Sequence, residues 1–530
     1  MQCILRLPSV NKILLLSGLY LLTCCQTPVE ESTPAPNIIF ILADDLGYGD
    51  ISAFNPEGKI RTPNIDQLAR EGMRFTDAHT TSSVCTPTRY GLLTGRYNWR
   101  SRLKNGVLTG KSEALIPRSR TTVASLLKES DYHTAFIGKW HLGWDWAVHD
   151  QRENEGAGWD EHDFVDLDFS QPVQNSPNDL GFTYAYGHSG SLDMAPYVYV
   201  ENGMPTAIPD TVTVNTGKYS WWRKGPTAPD FIHEDVTPNF FRRAIEYIRE
   251  SKTVSKPYFL YLALPSPHTP ILPTSAWQGK SEINPYADFV MMVDDLVGQL
   301  TEVVDQSGAA DRTLIIFTSD NGCSPAAKID EMIAKDHYPS YIYRGHKADI
   351  FEGGHRVPFI AKWPDVITAN TICEQTISTV DFFATTAGIA ERALAPNEGE
   401  DSYDLWPLFK QQKINGTFRE ATIHHSINGS FAIRKGDWKL IMCPGSGGWS
   451  FPTPQDSLAR DTLPEIQLYN LADNPSETEN QWAEKPEIVE ELKSLLIKYI
   501  NDGRSTPGTP QKNDPTDNDW WQIEFAEQES

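Results

Sequence analysis

Short unbroken apolar runs recur along the chain, separated by longer stretches in which apolar positions return every three or four residues. Residues 37–43 form one such run and end in Asp44-Asp45; residues 313–318 repeat the pattern and end in Ser319-Asp320-Asn321-Gly322. Runs of this length predict strands buried on both faces, as in a parallel sheet. Residues 134–137 and 258–264 predict two more, while 62–72, 122–129, 239–250 and 285–306 have the spacing and charge pattern of helices. Such alternation predicts an α/β fold, a large mainly parallel (mixed) sheet flanked by helices. The character changes after about Pro358. Residues 431–442 predict a hairpin turning at Lys435-Gly436-Asp437, residues 466–471 a further strand, and 486–501 a helix with Ile488, Leu492, Leu495, Leu496 and Tyr499 on one face. The expected organisation is a main domain at 36–410 and a smaller C-terminal subdomain of antiparallel sheet plus helix at 411–504. Residues 505–530, rich in Pro, Asp and Asn, are expected to be loosely held, with Trp520, Trp521 and Phe525 available to pin them.

The N-terminus adds an address. Arg6 and Lys12 precede an apolar run at 13–22, too short for a comfortable membrane span, and Thr23-Cys24-Cys25 follow. Residues 1–24 therefore predict a secretory signal, of the ordinary or the bacterial lipoprotein kind. In the second case Cys24 or Cys25 carries the lipid, residues 25–35 are a polar tether, and the protein sits in the periplasm or on the outer membrane or cell surface. The formal net charge of −24 over 530 residues argues against nucleic acid as a partner. An acidic protein that binds an anion must gather its positive charge into a small basic island. Beyond Cys3, Cys24 and Cys25, the cysteines are Cys85, Cys323, Cys373 and Cys443. A Cys373–Cys443 bridge is conceivable, but buried free thiols are the expectation, and with no CxxC pair zinc has no support.

The chemistry concentrates in six segments. In the run from Cys85 to Arg96, Cys85-Thr86-Pro87-Thr88-Arg89 leads into an apolar helical start and Leu93-Thr94-Gly95-Arg96 closes it, which puts a thiol at a helix N-terminus with Arg89 four residues on. Asp44-Asp45 and Asp320-Asn321, at the ends of two buried strands, offer hard oxygen ligands that suit calcium, with magnesium the weaker alternative. Taken singly, each pair also reads as a turn or helix cap. In Gly138-Lys139-Trp140-His141-Leu142-Gly143, a lysine and a histidine two apart in extended chain point the same way and face one anion. His268 lies in the frame Pro267-His268-Thr269-Pro270, and Lys347 in Gly345-His346-Lys347, ahead of Glu352-Gly353-Gly354-His355-Arg356-Val357-Pro358.

These segments, in this order, resemble the formylglycine-dependent sulfatases of the alkaline phosphatase superfamily, over roughly residues 36–501. Thr88 stands where that family most often has serine. The resemblance implies an exported bacterial sulfuric ester hydrolase. It implies that a formylglycine-generating or anaerobic maturase oxidises Cys85 to an aldehyde, whose hydrate is the nucleophile, and that the reaction passes through a sulfo-enzyme intermediate. It further implies one Ca²⁺ held by Asp44, Asp45, Asp320, Asn321 and the modified Cys85, which acidifies the nucleophile. Arg89 would orient that residue; Lys139, Lys347 and His268 would bind sulfate; and His141 would assist sulfate release. Arg356 is expected to be structural, paired with Glu352 or with carbonyls.

Substrate choice is expected in residues 144–224, rich in Trp144, Trp146, Trp159, Tyr184, Tyr186, Tyr197, Tyr199, Trp221 and Trp222. Aromatic planes pack on sugar faces, although aromatic residues of a large domain also fill its core. His188, Asp193 and Arg223 are candidates to read hydroxyls or carboxylates, and Arg344 and His346 for further substrate contact. The favoured substrate is a sulfated polysaccharide or oligosaccharide. The alternatives are small aryl sulfates, phosphonate or phosphate esters, and a catalytically dead lipoprotein that binds sulfated glycan. The sequons at Asn415 and Asn428 are coincidence in a bacterial protein.

Overall fold

The structure, a computed structural model, describes residues 35–149, 166–252, 256–414, 417–514 and 523. The signal, the tether, Trp159, Asn415, Trp520, Trp521 and Phe525 lie outside the described residues. The described residues form one compact unit.

Five parallel strands make the centre of a ten-stranded mixed sheet, in the order Thr313–Ser319, Asn37–Asp44, Tyr258–Pro267, His133–Lys139 and Tyr184–His188. Ile39 lies between Ile315 and Leu260, and Tyr261 lies beside Phe136. Every residue of the first three of these strands is buried, which is why they read as continuous apolar runs. Short strands complete both edges: Phe359–Lys362, Met73–Phe75 and Thr371–Cys373 on one side, Val200–Glu201 and Met204–Pro205 on the other. The helices Pro63–Glu71, Val123–Glu129, Val236–Ser251 and Pro285–Ser307 match the helical spacing of the sequence to within a few residues at their ends.

The second sheet is antiparallel and runs Thr422–His425, Phe431–Lys435, Trp438–Ile441, Gln467–Asn470. The helix Pro486–Asn501 packs on it through Val489, Leu492, Leu496, Tyr499 and Ile500. Ile488 and Leu495, expected on that face, are only partly buried. Two stripes one residue apart are both apolar here, and contact with Phe431, Ile433 and Leu440 selects the one through Val489. Tyr97 and Trp99 of the main domain enter the same apolar cluster, so the core of the second sheet takes in two side chains from before position 410.

Two expectations are corrected. Residues 505–514 are not loose: Arg96 donates to Asp514 (3.0 Å) and the Lys512 carbonyl (3.0 Å), and Arg100 donates to Asn513 (3.1 Å). The polar composition that suggested a free tail instead satisfies two buried guanidinium groups. The aromatic residues of 144–224 are mostly core, with Trp144, Trp146, Tyr186, Tyr197 and Tyr199 buried, while Trp221 is exposed. Cys85, Cys323, Cys373 and Cys443 are free thiols.

Candidate active site

The sheet delivers the acids. Asp44 ends its strand, and Asp45 follows at φ 63°, a left-handed conformation that turns its side chain out of the strand alternation. Asp320 follows the neighbouring strand, its N–H donating to the Ala43 carbonyl (3.0 Å), and Asp45 N–H donates to Asp320 Oδ1 (3.3 Å). Asn321 Nδ2 donates to Asp45 Oδ1 (2.7 Å). Asp44 Oδ1, Asp45 Oδ2 and Asn321 Oδ1 are left fully buried with no hydrogen-bond partner. Three orphaned acceptor oxygens at one place are costly unless a cation takes them up, and the hard-oxygen donor set fits calcium or magnesium. Ligand atoms of Asp44, Cys85 and Asp320 lie within 4.8 Å of one another, as do those of Asp44, Asp45 and His268.

Cys85 opens the helix Cys85–Thr94, all ten residues of which are buried. Thr88 Oγ1 donates to the Ser82 carbonyl (2.9 Å) and fixes the approach to this helix. Gly91 allows it to lie against Thr81, whose side chain a Cβ would meet at 2.9 Å. Burial pushes the Cys85 thiol up in pKa, against the pull of Lys139 and Lys347, so it is held as a neutral thiol.

Fixed cations surround the acids. Arg89 donates through Nε (3.1 Å) and Nη2 (2.8 Å) to Asp320 Oδ2, through Nη2 to Asp44 Oδ2 (3.3 Å), and through Nη1 to the Lys139 carbonyl (2.8 Å). Lys139 Nζ pairs with Asp44 Oδ2 and donates to Ser191 Oγ (3.1 Å); Lys347 Nζ pairs with Asp45 Oδ1 (2.6 Å). His268 Nε2 is 3.6 Å from Asp45 Oδ2, and its Nδ1 is 2.5 Å from the Thr269 carbonyl. Burial and the charge of Asp44 push Asp320 up to about 7, against the pull of Arg89. Burial works on Asp44 in the same sense, but Lys139, His268 and Arg89 outweigh it and hold Asp44 well below the usual carboxylate range. Three carboxylates thus face three permanent cations, and a divalent cation would leave the pocket with the positive surplus that an anionic ester needs.

His141 departs from the geometry expected of it. Its φ is 54°, so the chain is not extended there and simple alternation does not place it on the face of Lys139. Its Nε2 is 2.7 Å from the Leu108 carbonyl and its Nδ1 is buried without a partner. Burial, helped by Lys139, holds the ring neutral. A proton on Nε2 then leaves Nδ1 as a free acceptor.

Cys85, Arg89, Lys139, Lys347, His268 and the four candidate metal ligands are therefore brought together. The candidate substrate residues are more dispersed. His188 is buried beside Lys139 in the strand register and stacks on Phe240 (5.7 Å), a core position. Asp193 pairs with Arg223, which lies over Trp221. Arg344 donates to the Glu477 carbonyl (2.8 Å) and lies over Phe351, which occupies it in packing. His346 Nε2 is 3.0 Å from Ser450 Oγ. Arg356 pairs with Asp77 (2.9 Å) and Glu352 (3.1 Å) and donates to the Thr76 carbonyl, a structural arrangement. Two residues escaped sequence reasoning. Ser191 lies between Lys139 and His268, and Tyr286 reaches the Asp45 carbonyl (2.9 Å) from a helix whose apolar spacing gave no hint of it.

A sulfatase family model matches residues 36–391, more than half of the chain. The chain belongs to the sulfatase family. It is 32% identical to an N-acetylgalactosamine-6-O-sulfatase of Bacteroides thetaiotaomicron over 92% of this chain and 98% of that one. It is 30% identical to human arylsulfatase A over 90% of each. A solved structure from work on glycosaminoglycan metabolism by Bacteroides thetaiotaomicron superposes with a TM-score of 0.75 at 30% identity, covering 88% of this chain and 99% of that one. This sulfatase is a sulfuric ester hydrolase with a mixed sheet flanked by helices and a separate antiparallel sheet.

Proposed function

We propose that this sulfatase removes sulfate from a sulfated polysaccharide or oligosaccharide, with Ca²⁺ held by Asp44, Asp45, Asp320 and Asn321 and with Cys85 converted to formylglycine by a maturase. The observation that carries the reading is the set of partnerless buried oxygens on Asp44, Asp45 and Asn321, grouped with a buried thiol and flanked by Lys139 and Lys347. When present, the cation supplies charge stabilisation and the hydrated aldehyde supplies an oxygen nucleophile. Lys139 Nζ and Lys347 Nζ hold sulfuryl oxygens, and Lys347 with His268 Nε2 faces the departing ester oxygen. His141 Nδ1, neutral and unpartnered, accepts the proton in the release step. Arg89 acts through Asp320 and Asp44, holding both carboxylates in place.

The glycan reading is supported by relatives. One is named for N-acetylgalactosamine 6-sulfate, and a structural neighbour is described in complex with D-glucosamine-2-N,6-O-disulfate. The test is sulfate release from a panel of defined sulfated oligosaccharides that begins with 6-O-sulfated N-acetylgalactosamine, alongside matched aryl sulfate and aryl phosphate. Mass spectrometry of the Cys85 peptide, from protein made with a maturase, should show the aldehyde. Saccharides left sulfated by an enzyme that turns over aryl sulfate would overturn the glycan reading. Protein without the aldehyde that still turns over would overturn the nucleophile. The leader sequence supports export and lipidation at Cys24 or Cys25, which incorporation of labelled fatty acid would test.

A further inference from the structure

The active site opens on one side. Lys139, Asp44 and Arg89 have fully buried side chains, whereas those of Lys347 and His268 are 6% and 10% exposed. Exposure continues to rise beyond Lys347: the His346 side chain is at 19%, and Trp449 and Phe451, in the loop that holds His346, reach 47% and 73%. Phe451 is the most exposed large apolar side chain among the described residues.

This loop comes from the C-terminal sheet and is pinned to the Lys347 segment. The Asp349 carboxylate accepts from Trp449 N–H (2.8 Å), Ser450 N–H (2.9 Å) and the Ser450 hydroxyl, and Ser450 Oγ also meets His346 Nε2 (3.0 Å). Ile350 N–H donates to the Ser446 carbonyl (2.8 Å), and Ser446 N–H to the Pro452 carbonyl (3.0 Å). Gly448 lies so close to Ala348 that a Cβ would stand 2.4 Å from its carbonyl oxygen. Gly448 thus lets the backbone lie directly on the residues that follow Lys347, while Gly445 and Gly447 take positive φ (65° and 58°) within the same loop. An exposed ring on a mobile loop says little, but two on a loop tied at both ends are held in advance of binding, which lowers the entropy cost of using them.

Resting on the glycan reading above, we propose that Trp449 and Phe451 form a platform for a pyranose ring next to the sulfated residue, reached from the sulfate along the Lys347–His346–Ser450 edge. The apolar face of a sugar ring matches an aromatic plane, and the polar rim of the platform, His346 and Ser450, meets the hydroxyls. The platform reads the neighbouring sugar, and Lys347 reads the ester.

The test compares Trp449→Ala, Phe451→Ala and the double variant with wild type on two substrates, 4-nitrophenyl sulfate and a sulfated tetrasaccharide that the wild type desulfates. Each single change should lower kcat/KM on the tetrasaccharide by roughly tenfold, through KM, as removal of a stacking ring predicts, with the aryl sulfate rate kept within about twofold. Equal losses on both substrates would show a structural role, and an unchanged tetrasaccharide KM would show no contact; either overturns the platform. Ser450→Ala, which removes the hydroxyl's contacts to Asp349 and His346, loosens the pin and keeps both rings, should give an intermediate KM. Tetrasaccharide affinity of the Cys85→Ala protein, with and without the ring substitutions, gives a readout that needs no turnover, and equal affinity would also overturn the proposal. Failure of the underlying reading is distinct, because it appears in wild type as saccharides left untouched.

Discussion

Asp45 holds a non-glycine residue in the left-handed region, where the backbone costs about 1–2 kcal/mol. The surroundings hold it there: Asp320 takes its N–H, Asn321 and Lys347 take one carboxylate oxygen, and the Tyr286 hydroxyl lies between its carbonyl (2.9 Å) and Asp50 Oδ2 (2.5 Å). Tyr286 touches no orphaned oxygen, yet it fixes the residue that carries one. At the calcium site proposed above, Tyr286→Phe should therefore weaken metal binding by roughly tenfold, as removal of an outer partner does, and shift the Ca²⁺ dependence of rate while the rate at saturating Ca²⁺ is largely recovered. Titration of metal-stripped enzyme checks this. Arg89→Lys should be far more damaging. The fork that serves two carboxylates and a carbonyl becomes a single ammonium, leaving buried acceptors worth about 1–3 kcal/mol each unsatisfied. Loss of thermal stability with at least about a hundredfold fall in kcat/KM on aryl sulfate is expected. The acids of this site were legible because Asp44-Asp45 and Asp320-Asn321 both close buried apolar runs, and Cys85, Arg89, Lys139, His268 and Lys347 were legible through the family resemblance of the segments that carry them. Ser191 and Tyr286 were not, since nothing in their local spacing differs from an ordinary loop or helix.

At the scale of elements, strands buried on both faces announced themselves, and the edge strands did not. Met73–Phe75 and Val200–Glu201 are too short to show alternation, so only pairing defines them. The join between the two sheets was hidden except for the Arg356–Glu352 pair. Asp77, Glu352 and Glu477 meet Arg356, Arg434 and Lys439 around three buried histidines, although these residues are scattered over the sequence. His79 Nε2 is 2.9 Å from Asp77, His79 Nδ1 is 3.1 Å from His355 Nδ1, and His355 Nε2 accepts from Lys439 (3.0 Å). Protons therefore sit on His79 Nε2 and His355 Nδ1. The His355 and His424 rings stack in parallel at 3.9 Å, so their in-plane lone pairs run side by side and do not converge on an ion. Burial depresses all three pKa values, with Lys439 acting in the same direction on His355 and His424. The unfolded histidines titrate near 6.5, so below that pH the unfolded chain binds more protons and stability falls as pH drops, by up to about 4 kcal/mol per pH unit for three groups. His424→Asn, whose amide takes the place of Nδ1 as donor to the Thr80 carbonyl, should flatten the fall of Tm between pH 6.5 and 5 by roughly an eighth, since burial depresses His141, His188, His233, His268 and His425 as well. An unchanged slope would remove His424 from the acid response.

For the molecule as a whole, a formal net charge of −24 is set against a site built to take anions. At 0.01 M salt the Debye length is about 30 Å, so an approaching polyanion feels the charge of the entire surface. At 0.1 M it is about 10 Å, and only the local cations remain in view. Repulsion should therefore be screened first and the attraction of Lys139 and Lys347 later, because those lysines are buried and shielded from salt. On a sulfated polysaccharide, kcat/KM should rise by roughly two- to fivefold from 0.01 to 0.1 M salt and decline only beyond that, whereas a singly charged aryl sulfate should show a much weaker rise. Initial rates on the two substrates across a salt series, at fixed Ca²⁺, test the difference. A polysaccharide rate that falls monotonically from the lowest salt would mean that a basic channel outside the pocket overrides the net charge, and the confined cationic island would then be the wrong picture of how this sulfatase meets its substrate.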